Sequence, residues 1–317
     1  MEDLEFRQLE ILCEVVRLGS FSRAAKKVHL SQASVSERIA GLEEDVGCAL
    51  FERSPGRGVR PTRVGQALYQ RAVRMLRDRE LAVQELRDLL GVRRGKLRIG
   101  ASTVPGTYHL PSVLRRFSSR YPDAHFSLSI TGSQQVVEGV SSGDFDLGIS
   151  GEPDVPASAQ VSTGKGHASV THTRLWRDSL VLAVPSGHPL TRKERIRAAE
   201  LANVPFVLRE SGSGTRRWTD LFLEHELPRG LKDLHVIAEV NNLCAVKQSV
   251  VHGLGVSIVS ARAIQAELKS GLLEIVDFER PITRWFYLVH DERRAASSIS
   301  RLFIQVLLDS SASPNPE

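Results

Sequence analysis

The pattern of apolar residues changes near Leu97, and this change limits the chain to a fold with at least two unlike parts. Residues 1–62 read as one helix after another without a convincing strand. From Leu97 onward, short apolar runs such as LRIGAS, FDLGIS, SLVLAV and WFYLVH alternate with helical stretches. Strands that alternate with helices are typical of α/β units with largely parallel sheets. About 200 residues is generous for one such unit, so we expect two subdomains.

A long, highly charged helical pattern over residues 63–90 lies between these two parts. Its apolar stripe includes Leu68, Met75 and Leu86. A lone helix this polar can bury its stripe only against another helix, so the pattern favours a contact between two copies of the chain. The alternative is packing onto the same chain. Residues 91–96 (GVRRGK) combine glycines with positive charge and no apolar face, which predicts a hinge.

The composition excludes several classes of protein. Three cysteines, Cys13, Cys48 and Cys244, stand far apart without a CxxC pair, which argues against a disulfide scaffold or a thiolate zinc site. No run of about 18 apolar residues occurs, so no membrane segment is predicted. The acidic start MEDLEFRQLE lacks the apolar region of a secretion signal. We therefore expect a cytoplasmic location and no membrane partner.

Two short helices joined by a tight turn are predicted close to the N-terminus. Ser20 is a good N-cap for the first helix, Ser31 caps the second, and Gly47 closes it. These are the proportions of a helix-turn-helix, in which the start of the second helix meets base edges in the major groove. The alternative is a plain bundle of small helices. The candidate base-reading residues are Ser31, Gln32, Ala33, Ser34, Ser36 and Arg38.

An arginine-rich segment, FERSPGRGVRPTRVG, follows and reads as a turn or a small hairpin wing. Over residues 51–79, eight arginines oppose only Glu52 and Asp78, a local net charge of +6. Positive charge beside a reading helix is what contacts with DNA phosphates require, although the same charge could simply form a solvated face. The candidate DNA-binding residues here are Arg53, Arg57, Arg60 and Thr62.

Together these residues resemble the N-terminal domain of LysR-type transcriptional regulators. The shared residues include Leu9, Gly19, Ser20, Phe21, Ala24, Ala25, Ser31, Gln32, Ser36, Ile39, Leu42, Glu43, Gly47, Leu50, Phe51, Arg53, Thr62 and Gly65. The resemblance covers nearly the whole chain. It implies a winged helix-turn-helix domain over residues 1–62, a linker and dimerisation helix over 63–90, and a homodimer or homotetramer on double-stranded DNA. RNA polymerase is a further candidate partner.

Three residues depart from the family pattern. Ala33 stands where the family usually has proline, Pro61 stands where leucine is usual, and Glu37 replaces a common basic residue. Glu37 could accept a hydrogen bond from cytosine or face solvent. The DNA sequence that this chain reads therefore need not be the family's commonest one.

Small polar residues follow several predicted strands of the C-terminal part. Hydroxyl groups and free backbone N–H groups at helix starts make an anion site, and strand ends converge in one crevice of an α/β sheet. The alternative is that each serine or threonine is only a helix cap. The predicted effector-binding residues are Ser102, Thr103, Thr131, Ser150, Ser211, Ser213, Gly214, Thr215 and Asn242.

The resemblance implies that this part is a two-subdomain α/β effector module similar to periplasmic binding proteins. The module is expected over 97–310, with subdomain I at 97–172 plus 278–308, subdomain II at 173–277, and a disordered tail at 311–317. The whole chain is then an α+β multidomain protein with a winged helix-turn-helix, a long linker helix and this module. The effector would lie in the cleft between the subdomains.

The phrases GASTVPGTYHLP, LRESGSGTRRW and AVKQSVVHGLGVSIVS resemble the branch of regulators of sulfur assimilation, cysteine biosynthesis and carbon fixation. In that branch the implied effector is small and anionic: an oxyanion such as sulfate or thiosulfate, a small carboxylate, or O-acetylserine. Hydroxyl and amide donors without an obligatory arginine would hold it. Arg216 or Arg217 could add charge or could only face solvent.

Catalysis is the contrasting function. The sequence has no G-x-S-x-G elbow, no P-loop and no complete G-x-G-x-x-G after a strand. His167 and His172 read as residues of the solvated Ser/Gly-rich loop that covers 151–170 and the residues just after it. Cys244 reads as a small buried apolar residue, with redox sensing as its alternative. We therefore predict no catalytic residue, no metal site and no cofactor. The remaining alternatives are a non-catalytic solute-binding protein and an enzyme with an accessory DNA-binding domain.

Overall fold

The computed structural model describes residues 4–53, 59–89, 95–151, 160–161, 170–291 and 298–312. The chain divides into two compact units, one N-terminal and one C-terminal, with the division near residue 91. Within the described ranges, no helix is both long enough and apolar enough to cross a bilayer.

The N-terminal unit is a winged helix-turn-helix followed by a long helix. In chain order it contains α1 (Phe6–Leu18), α2 (Phe21–Val28), α3 (Gln32–Val46), the hairpin strands β1 (Phe51–Arg53) and β2 (Val59–Pro61), and α4 (Arg63–Leu89). Its core is built from one apolar face of each helix, with Leu12, Ile39 and Leu50 fully buried among others. The predicted wing is present, because Phe51 pairs in antiparallel register with Pro61.

Local hydrogen bonds set the ends of the short helices. The Ser20 hydroxyl accepts from the N–H of Arg23 at the start of α2, and the Ser31 hydroxyl accepts from the N–H of Ser34 at the start of α3. Both predicted caps are confirmed. His29 ends α2 in the left-handed region at φ 58°, a conformation that costs a non-glycine residue free energy but reverses the chain tightly.

The start of α4 is fixed to the hairpin by backbone contacts. The Thr62 hydroxyl donates to the carbonyl of Ala49 at 2.9 Å and accepts from the N–H of Gly65 at 3.0 Å. The Glu43 carboxylate accepts from the N–H of Leu50 at 2.7 Å. The helix α4 therefore begins where the wing ends, and its later apolar side chains Met75, Val83 and Leu86 are exposed.

The C-terminal unit alternates strands with helices. In chain order it contains β3 (Gly95–Ser102), a π-helical turn (Pro105–His109), α5 (Leu110–Arg120), β4 (Ala124–Thr131), α6 (Ser133–Ser142), β5 (Leu147–Ser150), β6 (Gln160–Val161), β7 (Val170–Pro185), β8 (Arg195–Ile196), β9 (Pro205–Arg209), α7 (Gly214–Glu226), β10 (His235–Val240), α8 (Leu243–Val251), β11 (Ser257–Ser260), α9 (Gln265–Lys269), β12 (Leu273–Phe278), β13 (Ile282–His290) and α10 (Ser298–Ala312).

The main sheet is mixed rather than largely parallel, so that expectation was wrong. Its strands lie in the order β4-β3-β5-β13-β7-β12-β8, and β6 and β11 also pair with β7. Strand β3 is parallel to β4 and β5, and β9 is parallel to β10 in a separate sheet. At the centre, β13, β12 and β11 are all antiparallel to β7. The chain runs back along β7 first in β11, then in β12 and finally in β13, so these three neighbours of β7 are antiparallel to it.

Both predicted subdomain boundaries coincide with strands rather than with loops. The boundary after residue 172 falls inside β7, and the boundary after residue 277 falls inside β12. Strand β7 pairs with β13 over its first part and with β11 and β12 near its C-terminal end, so the two predicted subdomains would share continuous strands. The unit has two apolar clusters: one contains Phe117 and Phe303 and extends to Val246 and Val259, and the other contains Phe206 and Phe278.

Smaller corrections concern segments predicted to be irregular. Residues 160–161 form β6 against the start of β7, so this part of the predicted loop at 151–170 is a strand. Gly95 and Lys96, predicted as hinge, begin β3. Residues 311 and 312, predicted as tail, extend α10, whose Phe303 and Leu307 are buried in the core. The remaining residues of the hinge and the tail, and most of the loop, lie outside the described ranges.

Gly65 generates a test of the packing between α4 and the hairpin. A Cβ at this position would lie 2.0 Å from the Leu50 carbonyl oxygen and 2.9 Å from its carbon, both of them backbone atoms. We therefore expect Gly65→Ala to lower the free energy of unfolding by about 1–3 kcal/mol, measured by chemical denaturation.

Gly41 provides the matched control, since it lies within helix α3. The nearest atom to a methyl group added at this position would be the Gln8 Nε2, 4.0 Å away. Gly41→Ala should leave stability unchanged or raise it by up to about 1 kcal/mol through helix propensity. Equal stability of the two variants would contradict the close packing at Gly65.

Candidate functional site

A cavity of about 460 Å³ lies in the C-terminal unit, where strand ends and helix starts meet. Seven of the nine predicted effector-binding residues line it: Ser102, Thr103, Thr131, Ser213, Gly214, Thr215 and Asn242. Ser150 and Ser211 do not line it. The Ser150 side chain is fully buried and donates to the carbonyl of Ser133, whereas Ser211 is exposed and its backbone N–H donates to Glu239.

Three helices begin at the cavity wall. Helix α6 begins at Ser133, α7 begins at Gly214 after Ser213, and α8 follows Asn242, whose side chain accepts from the N–H groups of Cys244 and Ala245. The N-terminus of a helix carries partial positive charge and free N–H groups. The three helix N-termini therefore contribute positive partial charge to the cavity, in addition to whatever its charged side chains contribute.

Arg284 adds a full positive charge that the sequence analysis missed. It stands on β13, lines the cavity and is 2% exposed. Its Nε donates to the Asp178 carboxylate at 2.8 Å and its Nη1 to the Thr215 hydroxyl at 3.3 Å. Its Nη2 is buried and has no hydrogen-bond partner in the described part of the chain. Burial lowers the pKa of Arg284, and the neighbouring Asp178 opposes that shift.

A second missed arginine, Arg209, ends β9 and also lines the cavity. It is 4% exposed, and its Nε and Nη2 donate to the two carboxylate oxygens of Glu210 at 2.7 and 2.8 Å. Glu210 lines the cavity as well. The arginines that the sequence did suggest are elsewhere: Arg216 pairs with Asp220 and Glu239, and neither Arg216 nor Arg217 lines the cavity.

Two arginines therefore line this cavity together with the predicted hydroxyl and amide donors. A signal was present in the sequence, because Arg284 lies within the apolar run ITRWFYLVH and Arg209 ends the apolar run PFVLR. A charged residue in such a run is rarely buried unless it is paired.

Two further residues differ from expectation. Cys244, expected to be buried, is exposed and lines the cavity, because it follows the cap of α8 on the side facing the cleft. His172, expected in a solvated loop, lies in β7 at 2% exposure, and burial lowers its pKa. His167 lies outside the described residues.

An aromatic cluster stands behind the cavity. The His109 ring stacks on Trp176 at 4.5 Å between centroids and lies 5.8 Å from the ring of Phe286, which lines the cavity. Burial lowers the pKa of His109 to about 3, with smaller contributions from the charges of Arg262 and Arg284. His109 is therefore neutral near pH 7.

In the N-terminal unit, the predicted base-reading residues share the first turns of α3. Gln32, Ala33 and Arg38 are exposed, and the Gln32 side chain accepts from the Ser22 hydroxyl at 2.7 Å. The Ser31 and Ser34 hydroxyls are 2.8 Å apart, and Ser36 is partly buried.

The wing residues are a less uniform group. Arg60 on β2 is exposed. The Thr62 hydroxyl caps α4 within the fold, and its predicted DNA contact stays a prediction. Arg57 and the side chain of Arg53 lie outside the described part.

A winged helix-turn-helix ahead of an α/β unit with a polar cavity is the architecture of a ligand-responsive transcriptional regulator. The family model "Bacterial regulatory helix-turn-helix protein, lysR family" matches residues 6–66, and the model "LysR substrate binding domain" matches residues 90–312. The chain belongs to the LysR family of transcriptional regulators, and its C-terminal unit is that family's effector-binding domain.

Named relatives sharpen this assignment. The RuBisCO operon transcriptional regulator of Allochromatium vinosum is 35% identical over 98% of this chain and 97% of its own. The regulatory domain of Synechocystis CcmR, solved in complex with 2-PG, is 27% identical, with a TM-score of 0.60 over 69% of this chain and 99% of that one. CbnR, solved with its target DNA, shares the fold at 23% identity and a TM-score of 0.66, over 98% of this chain and all of CbnR.

These relatives are regulators rather than enzymes, as the sequence predicted. The carbon-fixation side of the predicted branch is confirmed by the relative from Allochromatium. The sulfur side of that prediction finds no support in these names.

The low pKa of His109 generates a prediction for acid stability. An unfolded histidine takes up a proton near pH 6.5, whereas His109 in the folded chain does so only near pH 3. The unfolded state therefore binds more protons in this window, and stability falls as the pH drops from 6.5, by up to about 1.4 kcal/mol per pH unit. His109→Gln should flatten this slope when urea unfolding is followed at pH 7, 6 and 5.

The slopes are compared rather than the absolute stabilities, because the substitution also disturbs the stack on Trp176. His235→Gln, at an exposed position, controls for the loss of one histidine. A His109→Gln slope equal to that of the unaltered chain would show that His109 titrates normally.

Proposed function

We propose that this LysR-family regulator senses a small anionic metabolite in the cavity of its C-terminal unit and adjusts its binding to double-stranded DNA in response. The observation that carries the proposal is Arg284, which is buried at the cavity wall with its Nη2 unpartnered among the described residues. Its other two donor nitrogens hold Asp178 and Thr215, so its orientation is already set.

The energetics favour an anion over a neutral ligand. A buried donor without a partner costs about 1–3 kcal/mol, which an oxygen atom of a ligand recovers. Each helix start adds about 0.3–1 kcal/mol for a negative charge, and three helices start at this cavity. Ser102 and Thr103, at the end of β3, line the same cavity as Thr215 and Arg284.

Relatives support a small effector. CcmR, whose regulatory domain is similar to this C-terminal unit, was solved with 2-PG, and the Allochromatium regulator is named for the RuBisCO operon. We therefore place 2-PG and other small organic anions first among candidates. Sulfate, thiosulfate and O-acetylserine form the second group.

The conformational response to the ligand would be transmitted through β7 and the strands paired with it, β11, β12 and β13. A ligand held by groups of both predicted subdomains favours the arrangement in which those groups are closest, by its differential affinity. The N-terminal unit would read DNA through the exposed face of α3 and the wing, as a homodimer or homotetramer paired through the exposed stripe of α4. RNA polymerase remains a candidate partner, and the site of action is expected to be the cytoplasm.

Removal of Arg284 tests the sensing function. We expect Arg284→Gln to weaken binding of 2-PG, or of the tightest ligand in the panel, by about tenfold or more, because a charge-assisted hydrogen bond is lost. Isothermal titration of the full-length protein gives the affinity. Arg280→Gln is the control, because the exposed Arg280 pairs with Glu226 and does not line the cavity.

A second variant keeps this test decisive if Arg284→Gln does not fold. A Cβ on Gly214 would lie 2.9 Å from the Ser133 hydroxyl at the cavity wall, where a side chain can move aside. Gly214→Ala should therefore fold and bind the ligand more weakly. Unchanged affinity in Arg284→Gln and Gly214→Ala would refute the assignment of this cavity.

Two substitutions in the N-terminal unit separate base reading from phosphate contact. Gln32→Ala should change which bases are preferred, because a side-chain amide can pair with an adenine edge. Arg60→Ala should weaken binding to all sequences alike and reduce the slope of log affinity against log salt by about 1. Fluorescence anisotropy with an operator library and a salt series measures both effects. Equal base preferences in Gln32→Ala and the unaltered chain would exclude α3 as the reader.

A further inference from the structure

The pairing of Arg209 with Glu210 inside a cavity built for anions is not explained by sensing alone. Both side chains line the cavity, and two nitrogens of Arg209 are taken by the two carboxylate oxygens of Glu210. A guanidinium fork bound to both oxygens of one carboxylate is the geometry in which arginine binds a carboxylate or phosphate ligand. Glu210 thus occupies the position of a ligand group.

We propose that the Glu210 carboxylate occupies Arg209 when no effector is bound, and that an anionic group of the effector displaces this carboxylate from Arg209. The inference rests on the proposed function and adds a second anion subsite to it. Arg284 holds one group of the ligand, and Arg209 becomes available only when Glu210 leaves. The ligand class that fits is a small molecule carrying two anionic groups, such as two carboxylates or a carboxylate and a phosphate.

The contrast with Asp178 shows why Glu210 is the carboxylate that can leave. Asp178 is 5% exposed, and its second oxygen accepts from the Ser260 hydroxyl at 2.7 Å, so the protein interior holds it on both sides. The Glu210 side chain is 30% exposed, which leaves water available to it outside the cavity. When the Glu210 carboxylate moves away, the buried charge that loses its partner is therefore that of Arg209.

The backbone around Arg209 is fixed while the Glu210 side chain is displaced. The Arg209 carbonyl accepts from Arg216 at 2.9 Å. The Glu210 N–H donates to the carbonyl of Val240 at 3.1 Å, and its own carbonyl accepts from the N–H of Ser213 at 3.2 Å. Only side-chain rotation of Glu210 is then needed for the exchange, and the freed fork keeps its place in the cavity wall.

Inorganic phosphate is the probe, and the full-length protein is the sample. We expect Glu210→Gln to bind phosphate about tenfold more tightly than the unaltered chain by isothermal titration, because the competing carboxylate is gone. Without anions, the same variant should melt at a lower temperature, since Arg209 is left buried and unpaired, and phosphate should restore that loss. Restoration by phosphate distinguishes a displaced carboxylate from a purely structural one.

Two further variants make the result unambiguous. The double variant, Arg209→Gln combined with Glu210→Gln, should lose the gain in phosphate affinity, because the guanidinium fork itself is absent. Glu239→Gln removes a carboxylate that pairs with Arg216 and does not line the cavity, so it should leave phosphate affinity unchanged. A gain of similar size in Glu239→Gln would mean that any lost negative charge is sufficient, and would overturn the proposal.

The outcomes also separate this inference from the function on which it rests. Unchanged or weaker phosphate binding in Glu210→Gln, or no detectable binding, overturns the role of Glu210. If Arg284→Gln still weakens binding of the ligand in that case, the sensing function stands. If Arg284→Gln also has no effect, the cavity is not the sensor.

Discussion

The buried ion pair between Asp178 and Arg284 determines where positive charge stands in the C-terminal unit. The two residues face each other in register across β7 and β13. Burial of two charges is costly unless each is well paired, and Asp178 meets this need with Arg284 on one oxygen and Ser260 on the other. Arg284 lines the cavity and its Nη2 has no hydrogen-bond partner among the described residues, so a ligand held by this guanidinium would act on β7 and β13.

The local features of the fold could be predicted from the sequence because their causes lie within a few residues. Ser20, Ser31 and Gly47 act through hydrogen bonds or backbone conformation inside one helix turn, and all three stand where expected. The same holds for the small polar residues after β3 and before α7, which line the cavity. Their position follows from the rule that strand ends and helix starts meet at one edge of a sheet.

The remaining features depend on partners distant in sequence, which no local pattern reveals. Arg284 lies 106 residues from Asp178, and its role is set by strand register that exists only in the folded sheet. The antiparallel centre of that sheet arises because β7 is long enough to pair with β13, β12 and β11 in turn. Ser150 failed as a cavity residue for a similar reason, since its hydroxyl turns inward to the Ser133 carbonyl.

A sensor cavity must be stable when it is empty and must still prefer one kind of ligand. Here each guanidinium at the wall has one carboxylate partner, so the side chains leave almost no net charge and the empty state folds without a large unpaired cation. In the proposed sensor, the preference for anions would come from the three helix starts and from Arg284, whose Nη2 has no hydrogen-bond partner among the described residues. Neutral His109 behind Phe286 adds no charge near pH 7. Under that proposal, occupancy would be governed by the charge and shape of the ligand, because the partial charges of the helix starts are fixed by the fold.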